Sequence, residues 1–252
     1  QLAPVINNEE VRQRTHLDIS LFERLLNLNT PHIVLDQQGR ASPEICNLYR
    51  WRYSTLNDLP NVRERTQQSN LHNRCILDFI NVSSGTTHNE ICHQEGIVIA
   101  GLIHYLVQEC QILSSNITVL SPYRAQRSYL KELLSMCNLG SIATVDEYQG
   151  LQNEIIVISL VHRGQNGPSK FLSDHRRINV MTSRAKQCCF FVGRKETYEN
   201  VGDWCRIIQI IDTYQSKVSK DVMDQWNLKM NEIVHTDPGD QVMDDVVVVM
   251  DD

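Results

Sequence analysis

SIATVDEYQGLQNEIIVISLVH (Ser141–His162) is the stretch whose reading decides the fold. Its apolar runs, Ile142–Val145 and Glu154–His162, are short, rich in β-branched residues and bounded by polar residues and glycine. Runs of that kind read as buried parallel strands. A second piece, NVMTSRAKQ (Asn179–Gln187), follows the basic pair Arg176-Arg177 and puts Arg184 among small residues at the foot of CCFFVG (Cys188–Gly193), another strand-like run. In an open parallel sheet, ligands collect outside the carboxyl ends of the strands. The Gln149-Gly150 turn and Arg184 are expected at such ends, where they suit a phosphate or a ribose better than a core.

Outward from this centre, strands and helices alternate. LDISLFERLLNLN (Leu17–Asn29) places Leu17, Leu21, Leu25 and Leu28 on one helical face, widened by Phe22 and Leu26, with Asp18 or Thr15 as the expected cap. HIVLD (His32–Asp36) reads as a strand, QQGRAS (Gln37–Ser42) as a turn, and Pro43 as the start of a helix running through Tyr49 and Tyr53. Residues 56–74 are polar and irregular, RCILDFINV (Arg74–Val82) is a strand, and a loop follows it. A long helix is expected from Ile91 to Leu113, with Ile97, Ile99, Leu102, Tyr105, Leu106 and Cys110 inward. ITVLSPY (Ile117–Tyr123) is a strand backed by the helix AQRSYLKELLSMC (Ala125–Cys137); further helices are expected over Asp174–Lys186 and Gly202–Tyr214. This alternation predicts an α/β fold, a parallel sheet with helices on both faces. No internal repeat is visible.

The chain has 252 residues, enough for one large domain or two small ones. Its net charge of −6 is unevenly spread. From Lys217 onward there are nine acids against three lysines, and residues 1–216 carry 21 acids and 21 bases. The body is therefore neutral, which leaves room for a local basic groove. The acidic segment from Lys217 reads as a mostly disordered, solubilising tail in which acids flank the run Val246–Val249. Eight cysteines occur with no CxxC or CxxxH spacing, so buried free thiols are expected rather than zinc or disulfides. No apolar run reaches the ~18 residues of a membrane span, and no signal peptide is visible. The chain lacks an initiator Met and reads as a fragment of something longer.

A nucleotide-binding protein that works alone needs a Gly-rich loop with Lys and Ser or Thr. No GxxxxGK(S/T) is present. Asp146-Glu147 after an apolar run could hold magnesium, but no phosphate loop precedes it, and this reading is not favoured.

QLAPV at the start, then QQGRASP, SPYRAQRSYL, VDEYQG and RRINVMTSRAK, in that order, resemble the later motifs of superfamily 1 helicases of the up-frameshift type. The resemblance covers residues 1–200. It implies a RecA-like sheet of the P-loop NTPase fold: a second helicase domain without its own P-loop. Residues 1–30 would be the end of the first domain and the hinge, 31–200 the second domain, 201–216 a C-terminal helix and 217–252 the tail. ATP and Mg2+ would be held mainly by the first domain. By the same resemblance Gln1 senses the γ-phosphate, Arg40 approaches the phosphates, Gln149, Gly150 and Gln152 face the nucleotide, and Arg184 is the arginine finger. Ser121, Pro122, Tyr123 and Thr144 would face a nucleic-acid strand.

Leu35–Val62 most resembles the intron-binding spliceosomal branch, whereas SLVHRG and the middle stretch also resemble zinc-finger-bearing helicases of small-RNA pathways. The implied activity is ATP-dependent RNA unwinding in nuclear pre-mRNA splicing. Single-stranded or intronic RNA and spliceosomal proteins are the implied partners, with no membrane and no zinc in this segment. The alternatives are a cytoplasmic decay or small-RNA helicase, or a degenerate RNA-binding scaffold. Two departures favour the scaffold. Gly39 stands where relatives keep a Tyr that stacks on adenine, and Gln152 where many have a Glu that holds the ribose. Local readings stay open as well: Tyr123 as a core residue, Trp51, Tyr53 and Trp204 as packing residues, His93 and His104 as helix-face residues, and Arg176-Arg177 as a solvated helix start or a brace.

Overall fold

Successive side chains of a strand point to opposite faces, and the apolar runs here are filled on both. A computed structural model describes residues 2, 4, 6, 8–62, 77–82, 87–161 and 168–214. Gln1, the acidic tail and the stretch after Val161 lie outside the described residues. Five strands, β1 (Leu77–Asn81), β2 (Ile117–Ser121), β3 (Ser141–Thr144), β4 (Asn153–Ser159) and β5 (Ala185–Gly193), form one sheet in the order β1-β5-β4-β2-β3. Every pairing in it is parallel.

One face carries Phe79, Leu120, Ile156, Ile158 and Phe191, covered by α1 (Pro43–Arg50), α4 (His175–Thr182) and α5 (Gly202–Thr213). The other carries Ile80, Val119, Ile155, Val157 and Phe190, covered by α2 (His93–Gln108) and α3 (Arg124–Leu133). The predicted α/β sheet with helices on both faces is therefore the observed fold. Trp204 anchors the first face: it is fully buried against Phe191 and Tyr198, and its indole N–H donates to the Leu172 carbonyl at 2.7 Å. The seven cysteines among the described residues are free thiols. Among the described residues, no helix is long and apolar enough to cross a membrane.

The N-terminal arm departs from expectation. Its helix spans Leu21–Asn27, and the Ser20 hydroxyl, not Asp18 or Thr15, caps it by accepting from the Glu23 amide at 3.1 Å. The leucine face is open, with Leu21 73% and Leu28 75% exposed. Residues 31–36 are not in a strand, and Ile33 is 90% exposed. Pairing begins only at Gln37–Gln38, against Asn57–Asp58. Periodicity reports a face able to be buried, and among the described residues nothing buries it.

Other boundaries shift modestly. The helix after Pro43 stops at Arg50, and the long helix begins at His93 because Ile91–Cys92 pair with Thr87–His88. The helix behind β2 ends at Leu133 in a 3-10 turn. The stretch expected as one helix over Asp174–Lys186 ends at Thr182, since Ala185 already pairs with Asn153.

Candidate functional site

Five sequence-predicted residues, Arg40, Gln149, Gly150, Gln152 and Arg184, lie around the amino ends of β4 and β5. Arg184 immediately precedes β5, and Gln149–Gln152 immediately precede β4. The Arg184 carbonyl accepts from the Asn153 amide at 3.3 Å, and one Arg184 terminal nitrogen donates to the Leu151 carbonyl at 3.2 Å. Arg40 reaches the same place from the turn before α1 and donates to the Ser183 carbonyl at 3.2 Å. Gly150 has φ +87, a left-handed conformation that favours glycine, and Gln149, Gly150 and Gln152 are all exposed. The expectation that Arg184 and the Gln149-Gly150 turn lie at carboxyl ends is corrected: they lie at amino ends. The reason is topological. Residues 145–150 carry the chain from the carboxyl end of β3 back to the start of β4, and Val145 and Tyr148 pack into the core on the way.

The electrostatics here are unusual for a buried cation. Arg184 is 9% exposed. Its Nε donates to the Val180 carbonyl at 2.8 Å and a terminal nitrogen to the Ser183 hydroxyl at 2.6 Å. All its protein partners are neutral; no carboxylate pairs with it among the described residues. Burial, and then the nearby Arg40 guanidinium, pull its pKa below the ordinary arginine value. Neighbouring cations differ: Lys186 meets Glu154 at 2.6 Å and Arg50 grips Asp58 through two bonds of 2.8 Å. A buried positive charge beside a second one, with no counter-charge, suits an anionic ligand. A guanidinium has five N–H donors. Three are taken here among the described residues, and each terminal nitrogen keeps one further N–H, the donor type that grips a phosphate.

Sequence reasoning missed Gln38. Its amide oxygen accepts from the Arg40 and Ala41 amides, both at 2.9 Å, and its nitrogen donates to Asp58 at 2.6 Å. It shapes the turn that presents Arg40. A Gln just before Gly-Arg was the available signal. At Gly39 a Cβ would come within 2.9 Å of Leu59 Cδ1, the tip of a flexible side chain, so a larger residue there would only have to displace that tip.

The carboxyl ends hold the other set. Ser121 and Thr144 are register partners at the tips of β2 and β3, and Pro122 and Tyr123 lead into α3. All four side chains are buried; Tyr123 is 8% exposed, packed with Cys92 and Val161 and 6.1 Å from the Phe171 ring. The four lie together at the carboxyl ends, and being buried they shape the surface rather than present it. What they present is the start of α3, which has no side-chain cap, and the exposed Arg124. Asp146 and Glu147 do not converge. Asp146 pairs with Arg177, and Glu147 accepts from the Thr144 amide at 2.9 Å and lies 3.8 Å from Arg127. Arg177 therefore braces this segment, as Arg176 braces the N-terminal arm through Glu23.

Residues 17–196 match the model of a family described as AAA domain. The chain is 33% identical over 220 residues to mouse NFX1-type zinc finger-containing protein 1, covering 84% of this chain and 11% of that protein. It is 30% identical over 220 residues to mouse RNA helicase aquarius, covering 79% of this chain and 14% of that protein. It is 30% identical over 224 residues to the Neurospora crassa regulator of nonsense transcripts 1 homolog, covering 77% and 19%. The chain thus spans between about a tenth and a fifth of the length of these relatives. With a family match over residues 17–196 and these helicase relatives, the chain belongs to the AAA domain family as a superfamily 1 helicase segment of the up-frameshift-like type.

Proposed function

We propose that this segment is the second RecA-like domain of an ATP-dependent RNA helicase, providing one wall of a nucleotide site and a nucleic-acid-facing rim. The observation that carries the reading is the meeting of Arg40 with Arg184, whose protein partners are all neutral. Negative charge spread over a transferring phosphoryl group is stabilised by a guanidinium reaching it across the cleft, an effect of about 10³–10⁵ in rate. The two unused N–H groups of Arg184 would bind phosphoryl oxygens, with Arg40 beside them. Gln149 and Gln152 would hydrogen-bond the nucleotide; an amide at 152 holds a ribose hydroxyl without adding charge. Gln1 would sense the γ-phosphate.

The residues described here do not suit Mg2+. Asp146, Glu147 and Glu154, which flank Gln149–Gln152 in sequence, are engaged by Arg177, by the Thr144 amide and Arg127, and by Lys186 and Gln187. ATP and the ion would be held mainly by the preceding domain, so hydrolysis would require closure. At the opposite end, the start of α3 and Arg124 would contact the backbone of a single strand, with little sequence preference.

A nuclear role on introns, with spliceosomal partners, is supported by the likeness of Leu35–Val62 to that branch and by the aquarius match. The alternative, a small-RNA or decay pathway, is supported by the match to a regulator of nonsense transcripts 1 homolog. In the full-length protein, Arg184→Ala is expected to lower RNA-stimulated ATP hydrolysis about 10³-fold or more while RNA affinity holds. Arg184→Lys is expected to stay low, because an ammonium lacks the planar fork. Unchanged turnover in either variant sinks the reading.

A further inference from the structure

The sequence HQEG, at the start of an otherwise apolar helix, hides an unusual charge. Glu95 on α2 is 1% exposed. A carboxylate placed so deep is costly unless hydrogen bonds replace its water. Its Oε2 accepts from the Ser159 hydroxyl at 2.7 Å and from the Val161 amide at 2.9 Å. Ser159 is the last residue of β4, so the carboxylate sits beneath the carboxyl end of the sheet, on the side away from the arginine pair.

Val161 is the second anomaly. Its φ is +54, in the left-handed region, where a β-branched residue is rarely found. Such strain persists where the surroundings overdetermine it, and it concentrates at working sites. Val161 is buried with Cys92 and Tyr123 in a small cluster of its own. Gln126, fully buried on α3, completes the frame. Its Nε2 donates to the Ser159 hydroxyl at 3.1 Å and to the Cys92 carbonyl at 3.2 Å, and its Oε1 accepts from the Cys92 amide at 2.9 Å. Glu95 thus ties together α2, the exit of β4, the start of α3 and the residue before α2. Apolar packing could fill this space more cheaply than a buried carboxylate does. A polar frame gives something packing cannot: directional control of one backbone turn.

We propose that Glu95 is a positioning residue for the nucleic-acid end: its carboxylate holds the exit of β4 in the left-handed turn at Val161 and, through Ser159 and Gln126, sets the start of α3 where a single-stranded RNA backbone docks. The inference rests on the reading of the carboxyl end as the nucleic-acid face. Glu95 touches neither RNA nor nucleotide; it acts through the backbone it holds.

The test uses the full-length protein with a fluorescent single-stranded oligouridine and a fluorescent ADP as separate probes. Glu95→Ala leaves the Val161 amide without its acceptor and is expected to weaken oligouridine binding about 10-fold, with ADP binding within about twofold. Glu95→Gln keeps an amide oxygen for both bonds and is expected to restore most of the RNA affinity. Hydrogen exchange at the Val161 amide is expected to quicken in the alanine variant and slow again in the glutamine one. Ser159→Ala, a milder change, is expected to act in the same direction and serves if Glu95→Ala does not fold. Equal losses for RNA and ADP would make the network a general scaffold and overturn the proposal, as would unchanged RNA affinity in both alanine variants. A wild-type protein that ignores oligouridine would overturn the underlying reading of the carboxyl end, and this proposal with it.

Discussion

The two ends of one sheet solve opposite problems. At the amino end, Arg184 and Arg40 sit together, and among the described residues Arg184 is held by carbonyls and a hydroxyl alone, near the exposed Gln149, Gly150 and Gln152. At the carboxyl end the deep group is the Glu95 carboxyl, and it, Ser159, Gln126 and the Val161 amide answer one another. About 20 Å of strand separates them, at ~3.3 Å per residue over β4. On the proposed reading, the buried Arg184 marks the end where an anion would bind. A closed polar network marks the end whose shape is built in advance.

That contrast can be broken from below. Trp204→Ala removes a buried ring and its bond to Leu172, and is expected to cost about 3–5 kcal/mol in urea unfolding. Because both ends share this core, RNA and nucleotide binding should fail together on warming. Loss of one end alone would show that the ends are separately stable. Arg40→Ala sharpens the comparison from the amino side, with turnover in the full-length protein falling on the order of 10²-fold and RNA affinity unchanged. A matching loss of RNA affinity would join the two ends.

Smaller effects refine it. Asp58→Ala removes the partner of Gln38 and Arg50 and should destabilise the Arg40 turn by about 1–3 kcal/mol. Nucleotide affinity is expected to drop without a change in RNA affinity. The smallest effect is acidic. The Thr144 amide, donating to Glu147, holds that carboxyl below the usual range, with smaller help from Arg127. A depressed folded pKa adds stability above the unfolded value of ~4.3, which is lost as pH falls through the folded pKa. Glu147→Gln should therefore lower stability slightly at neutral pH and flatten the first part of the acid unfolding curve, followed by circular dichroism.

Much of this was legible in residues. The runs around Val119, Ile156 and Phe191 announced buried strands, and each run proved to be filled on both sides. Arg40, Gln149 and Arg184 were visible as a set because their motifs occur in order. Glu95, Gln126 and Gln38 were not, because a polar residue in a helix or turn has the same local signature whether it faces water or a buried partner. The leucine stripe around Leu21 misled for the complementary reason: amphipathic spacing records a capacity for burial, and burial needs a partner.

By itself, the sequence determined the strands of the central sheet, their burial and the residue types able to grip a phosphate, since hydrophobic period and side-chain chemistry are local properties. Only the tertiary structure decided that β4 and β5 are neighbours in a β1-β5-β4-β2-β3 sheet, that the arginines gather at its amino end and that the hydroxyls and the buried glutamate gather at the other. Strand order and direction arise from contacts between residues far apart in the chain, and no short window carries them.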